Sequence, residues 1–230
     1  MTQLLVMAKQ PLPGRVKTRL CPPCTPSQAA AVAQAALDDT LETVAATPAR
    51  RRVLVLSGER PRPDGFTVLP QRGDGLAERL ANGYRDSRLP GVPSLLIGMD
   101  TPQVTPAQLT GAVRRLAGVD AVLGMAYDGG WWALGLRRPE HAAALIGVPM
   151  STPQTGRLTL GALRRRGLTV ALLPVLRDVD TAADAYAVAA QCNGGRFAST
   201  VSAIVPNPAP TGCRPEAGDP LPQVNEVTPP

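Results

Sequence analysis

Short runs of β-branched and other apolar residues alternate along this chain with longer stretches whose apolar positions recur every three to four residues. QLLVMA (3–8), RRVLVLS (51–57), FTVLP (66–70), SLLIGM (94–99), DAVLGMA (120–126), WWALGL (131–136) and TVALLP (169–174) predict strands. Inside them LLVM, VLVL and LLIG are apolar on both faces, as in parallel strands buried between two layers. Helices are predicted over 25–46, 75–87, 105–117, 139–146, 155–166 and 181–191. Thr25-Pro26 and Thr105-Pro106 each place a hydroxyl cap before a proline, whose missing N–H costs nothing in a first helical turn. The alternation predicts an α/β fold: an open, mostly parallel twisted sheet with helices on both faces. WWALGL follows DAVLGMA too closely for a crossover helix, so a hairpin or an antiparallel edge is expected there. From Ser199 the periodicity stops, and residues 199–230 hold eight of the 25 prolines. The expected organisation is one domain over 1–198 followed by a Pro-rich disordered tail over 199–230.

Composition narrows the partners. The 230 residues are 44% hydrophobic, which supports a real core. Basic residues number 24 against 18 acidic, a net charge of +6, and all but Lys9 and Lys17 of the basic ones are arginine. Because the tail is net negative, residues 1–198 carry +8, which suits an anionic small molecule or nucleic acid. Aromatics make up only 3%, too few for base-stacking platforms, so a nucleotide is expected rather than a polynucleotide. His141, the sole histidine, stands in PEHAAALI and reads as an ordinary solvent-facing helix turn, which argues against Ser-His-Asp or Cys-His catalysis. No run approaches the roughly 18 apolar residues of a membrane span, and MTQLLVMAK lacks a basic leader. A cytoplasmic protein with no membrane partner is expected; the sequence leaves its oligomeric state open. Cys21 and Cys24 have C-x-x-C spacing, but no second pair and no nearby histidine completes a metal site. They read as packing or loop residues rather than a redox pair, with Cys192 and Cys213 unassigned.

In open parallel sheets ligands bind beyond the carboxyl ends of the strands. After the first strand comes AKQPLPGRVKTRL, where Lys9, Arg15, Lys17 and Arg19 surround Gly14. Free backbone N–H groups and four cations suit a diphosphate, although the Walker spacing is absent. After the fourth strand, Asp100 in GMDTPQVTP is placed to hold Mg²⁺ or Mn²⁺ while phosphates supply further oxygens; an Asx turn explains it equally well. In YDGGWW the glycines admit close backbone approach and Asp128 offers acceptors to sugar hydroxyls, while a D-G hairpin turn accounts for the same residues. In DVDTAAD, a helix cap explains one of Asp178 and Asp180 but not both.

MAKQPLPGRVKTRL, IGMDTPQVTP, DGGWWALGL, VPMSTPQTG and RDVDTAADA, in that order over about residues 3–198, resemble the DUF2064 family of GT-A-type glycosyltransferase-like proteins. The resemblance implies a nucleotide-diphospho-sugar transferase fold, related to nucleotidyltransferases. It implies nucleotide binding by Ala8, Lys9, Gly14, Arg15, Lys17, Thr18 and Arg19. Substrate would lie against Asp128, Gly129, Gly130 and Trp131. Asp100 would hold the divalent metal, with Asp180 approaching from the opposite wall, and Asp100, Lys17 and Arg19 would be catalytic. Gly98-Met99-Asp100 offers one carboxylate where many metal-dependent glycosyltransferases carry D-x-D. The leading expectation is therefore Mg²⁺- or Mn²⁺-assisted transfer of a sugar from a nucleotide-diphospho-sugar to a small acceptor. Nucleotidyl transfer with release of pyrophosphate is the alternative on the same fold, and a non-catalytic nucleotide- or nucleic-acid-binding module is the alternative from another class.

Overall fold

A computed structural model describes residues 1–206 of the chain. Among the described residues seven strands form one sheet: β1 (Gln3–Lys9), β2 (Arg51–Ser57), β3 (Phe66–Pro70), β4 (Ser94–Gly98), β5 (Ala121–Ala126), β6 (Trp131–Leu136) and β7 (Val170–Leu176). Their spatial order is β3-β2-β1-β4-β6-β5-β7. All neighbours are parallel except β6, which runs antiparallel to both β4 and β5. The hairpin expected after DAVLGMA is thus present, inside the sheet rather than at its edge. Trp132 to Leu136 are all buried there, as in a strand covered on both faces.

The described residues form six α-helices: α1 (Pro26–Ala46), α2 (Leu76–Ser87), α3 (Pro106–Leu116) and α4 (Thr155–Arg165) lie between strands, and α5 (Ala182–Ala189) and α6 (Arg196–Ile204) follow β7. Leu37, Leu41 and Val44 of α1 and Leu109, Ala112 and Leu116 of α3 pack on one face, against Leu4, Val6, Leu54 and Ile97. Leu80 and Tyr84 of α2 and Ala162 and Leu163 of α4 cover the other, against Leu5, Val53, Val55 and Leu134. Thr25 and Thr105 cap their helices through full capping boxes with Gln28 and Gln108. The run 139–146, expected as a helix, is a 3₁₀ helix over Pro139–Leu145. Its partly buried His141 lies in that segment.

The boundary expected at 198/199 falls inside α6. Phe197, Val201 and Val205 are buried with Leu20, Cys24, Val32, Val179 and Val188 in a third apolar cluster between α1, α5 and α6. Gln28 Nε2 donates to the Ile204 carbonyl and Tyr186 OH to the Val205 carbonyl, holding the end of α6. Phe197, Val201, Ile204 and Val205 are too few to show a period to sequence reading, and the prolines that follow masked them. The rest of the expected tail lies outside the described residues. Cys24 is buried in this cluster and Cys21 packs against it, both as free thiols. Burial, then the neighbouring Cys21, pushes the Cys24 thiol up, which disfavours the reactive thiolate.

Candidate active site

A cleft of about 780 Å³ opens over the carboxyl ends of β1, β4 and β7. Its first wall is the segment after β1. The chain turns at Gly14, where φ is +73° and no heavy atom stands within 4 Å of an added Cβ, then enters a 3₁₀ turn over Thr18–Leu20. Lys17 precedes that turn in the left-handed region, at φ 49° and ψ 38°. Among the described residues only Lys17 and Ser151 combine a side chain with positive φ, and both line this cleft. Such backbone is held where the surroundings repay its cost, and functional sites are where it gathers.

The second wall joins the segments after β4 and β7. Asp100 stands just beyond β4, and its carbonyl accepts from the Val179 N–H at 3.0 Å. Lys17 reaches across to both: its ammonium donates to the Val179 carbonyl and pairs with Asp100 Oδ1 at 2.5 Å. The Lys17 side chain is 7% exposed and that of Asp100 48%, so the pair sits at the mouth of the interior. Arg19 pairs with Asp180 at 3.1 Å. Thr181, not Asp180, caps α5, through a capping box closed by Asp184. Asp178 is deeper. Its Oδ1 is buried with no hydrogen-bond partner among the described residues. Burial first, then the charges of Asp100 and Asp128, push its carboxyl up to about 8 against the opposing pull of Lys17.

Past β5, Asp128 Oδ1 accepts from the Gly130 N–H at 2.7 Å and forms the tight turn into β6. A Cβ on Gly129 would lie 1.9 Å from the Pro153 carbonyl oxygen, and one on Gly156 2.5 Å from that of Gly130. The glycines therefore let the turn, the Met150–Pro153 segment and the start of α4 close on one another, with the Gly156 N–H donating to the Gly129 carbonyl.

Of the residues singled out from sequence, Ala8, Lys9, Arg15, Lys17, Thr18, Arg19, Asp100, Asp128, Gly130, Trp131 and Asp180 line this one cleft. Gly14 and Gly129 do not; they shape its loops. Sequence reading left Asp178 and the Met150–Pro153 part of VPMSTPQTG without a role and missed Gln71, Asp74 and Arg79, all of which line the cleft. Gln71 fastens the third corner, its Nε2 donating to the carbonyls of Ala8 and Val55. Its signal was position alone, directly after β3. Two of the four cations expected at a diphosphate, Lys17 and Arg19, are held by carboxylates, while Lys9 and Arg15 form no ion pair among the described residues.

Among the described residues no group of three or more Asp, Glu, His or Cys side chains is poised to hold a metal ion. A Mg²⁺ or Mn²⁺ ion needs only one or two carboxylates when phosphates supply the other oxygens. The orphaned Asp178 oxygen near Asp100 fits that donor set better than Asp180, whose carboxylate already pairs with Arg19.

The open, mostly parallel sheet with a cleft over its strand ends has the Rossmann-type architecture of GT-A and nucleotidyltransferase-like folds. The DUF2064 family, described as an uncharacterized protein conserved in bacteria, matches residues 29–152, and the chain belongs to it. A Desulfovibrio desulfuricans G20 protein named as a candidate nucleotide-diphospho-sugar transferase superposes with a TM-score of 0.77 at 24% identity, over 88% of this chain and 98% of that one. Rv0371c of Mycobacterium tuberculosis H37Rv matches at TM-score 0.51 and 22% identity, over 80% and 95% of the two chains. The bifunctional IspDF of Campylobacter jejuni matches at 0.53 and 11%, over 84% of this chain and 55% of its own. At these identities the likeness is one of fold. No curated protein matches the chain in sequence. Among the described residues no helix is long and apolar enough to cross a membrane.

Proposed function

We propose that this protein is a nucleotide-dependent transferase that takes a sugar from a nucleotide-diphospho-sugar to a small hydroxyl acceptor. The observation that carries the reading is the meeting of a cationic loop and a carboxylate group, including the unpartnered Asp178 oxygen, across one cleft at the strand ends. Lys9 and Arg15, which form no ion pair among the described residues, stand at the cationic wall, available to the diphosphate. Asp100 and Asp178 would hold Mg²⁺ or Mn²⁺, which neutralises charge on the leaving diphosphate when bound. Asp128, Trp131 and the Met150–Pro153 segment form the remaining wall, where sugar and acceptor would lie. In the reaction the acceptor hydroxyl oxygen bonds to the anomeric carbon and gives up its proton to solvent, the bond from that carbon to the diphosphate oxygen breaks, and nucleoside diphosphate leaves with that bond's electron pair. The loops would act chiefly by positioning the two reactants.

Nucleotidyl transfer is the second reading, on the nucleotidyltransferase-like fold that the sheet shares. There an acceptor phosphate attacks the α-phosphate and pyrophosphate leaves. The products separate the two. Incubation with a panel of nucleotide-sugars, nucleoside triphosphates and Mn²⁺, followed by phosphorus NMR, should show nucleoside diphosphate and no pyrophosphate. Pyrophosphate release would select the second reading, and neither product with any donor would leave a binding module. In calorimetric titrations of a nucleotide the protein binds, Asp100→Asn should abolish the Mn²⁺-dependent part of the affinity. Because asparagine keeps an oxygen for Lys17, the fold should survive at a cost of about 1–2 kcal/mol. A variant that retains the full Mn²⁺ enhancement would remove Asp100 from the metal site.

A further inference from the structure

Lys17 belongs to the segment after β1, yet its ammonium ends among groups from two other segments. It donates to the Val179 carbonyl beyond β7 and pairs with Asp100 beyond β4 at 2.5 Å. The Val179 N–H in turn donates to the Asp100 carbonyl, so three strand ends converge on one charged nitrogen. The side chain is 7% exposed. Reaching that place costs Lys17 a left-handed backbone, which a residue with a side chain adopts only when contacts repay it. A second tie, Arg19 with Asp180 at 3.1 Å, joins the segment after β1 to the one after β7. The Asp178 carboxyl feels the charges of Asp100, Asp128 and Asp180 as well as that of Lys17, and its buried Oδ1 has no hydrogen-bond partner among the described residues.

A divalent ion bound through Asp100 would stand within a few ångströms of this ammonium, and both compete for the same carboxylate charge. We propose that Lys17 is a built-in cation that holds the Asp100 carboxylate until a divalent ion displaces it, so that metal and ammonium are alternative partners of Asp100. The inference rests on the metal-assisted reading above and adds a consequence. Once displaced, Lys17 loses its ion pair with Asp100, one of the two contacts of its ammonium that hold the segment from Gln10 to Lys17, and a diphosphate becomes its new anion. Metal and diphosphate then favour each other's binding through Lys17 as well as through direct attraction.

The test uses Mn²⁺ alone, followed by loss of the free-ion electron paramagnetic resonance signal on the full chain. Lys17→Met should bind Mn²⁺ at least tenfold more tightly than the wild type, and Asp100→Asn should lose that binding. In the wild type, Mn²⁺ should also accelerate tryptic cleavage after the exposed Arg15, and it should not do so in Asp100→Asn. The cleavage arm decides the matter if Lys17→Met does not fold. Equal Mn²⁺ affinity in Lys17→Met and wild type, with Asp100→Asn still defective, would overturn the competition and leave the metal site standing. Slower or unchanged cleavage with Mn²⁺ in the wild type would overturn it too. No Mn²⁺ binding by any variant, or full binding by Asp100→Asn, would overturn both this inference and the metal-assisted reading.

Discussion

Asp178 shows what a single buried carboxyl does to the pH dependence of a fold. Its folded value near 8 lies well above the unfolded value, so the folded state holds the proton more tightly. The resulting stability is fully present below about pH 4 and is lost as pH rises through about 8. Asp178→Asn removes that loss. The variant should therefore be more stable than wild type at pH 8.5, by on the order of a few kcal/mol, and nearly matched to it at pH 4. Urea unfolding of both proteins at the two pH values gives the comparison. A difference that does not change with pH would mean that the carboxyl does not titrate in this range.

Among the elements, the turn between β5 and β6 and the start of α4 behave as one unit because glycines let their backbones touch. Gly129 has φ +86° and a Cβ there would meet the Pro153 carbonyl oxygen at 1.9 Å. Gly129→Ala should cost at least ~2 kcal/mol, since strain and overlap act together. Gly14→Ala meets only the strain, at φ +73° with open space around it, and should cost about 1 kcal/mol. Thermal unfolding of the pair distinguishes the two causes. Similar melting points would mean that the Met150–Pro153 segment yields freely and does not brace the cleft.

For the whole molecule, the third apolar cluster makes α6 part of the domain. Ending the chain at residue 198 removes Val201 and Val205, both buried, and the bonds from Gln28 and Tyr186. Burial of two valines is worth on the order of 4 kcal/mol, or about 10 °C in melting temperature for a domain of this size. A chain of residues 1–206 should therefore melt about 10 °C above one of residues 1–198. Equal melting points would show that α6 contributes no net stability. The same cluster packs Leu20 and Cys24, directly after the Lys17 segment, so loosening it should also weaken that wall of the cleft.

Much of this was legible in the order of residues. All seven strands, the two threonine caps and the β5-β6 hairpin follow from local period, hydroxyl-proline pairs and a connection too short for a helix, each a property of neighbours in sequence. The stretches carrying Lys17, Asp100, Asp128 and Asp180 were legible too, because strand ends in a parallel sheet gather at one edge. Only the tertiary structure decided their partners. That Lys17 pairs with Asp100, that Asp180 is taken by Arg19, and that Asp178 is left with an unpartnered oxygen depend on distances between residues some 80 to 160 positions apart. Likewise, the placement of β6 inside the sheet and the helical reading of residues after 198 come from burial against distant elements, since apolar surface is removed from water by whatever packs on it. Sequence period sets which face is apolar; the fold alone sets what covers it and which charges meet.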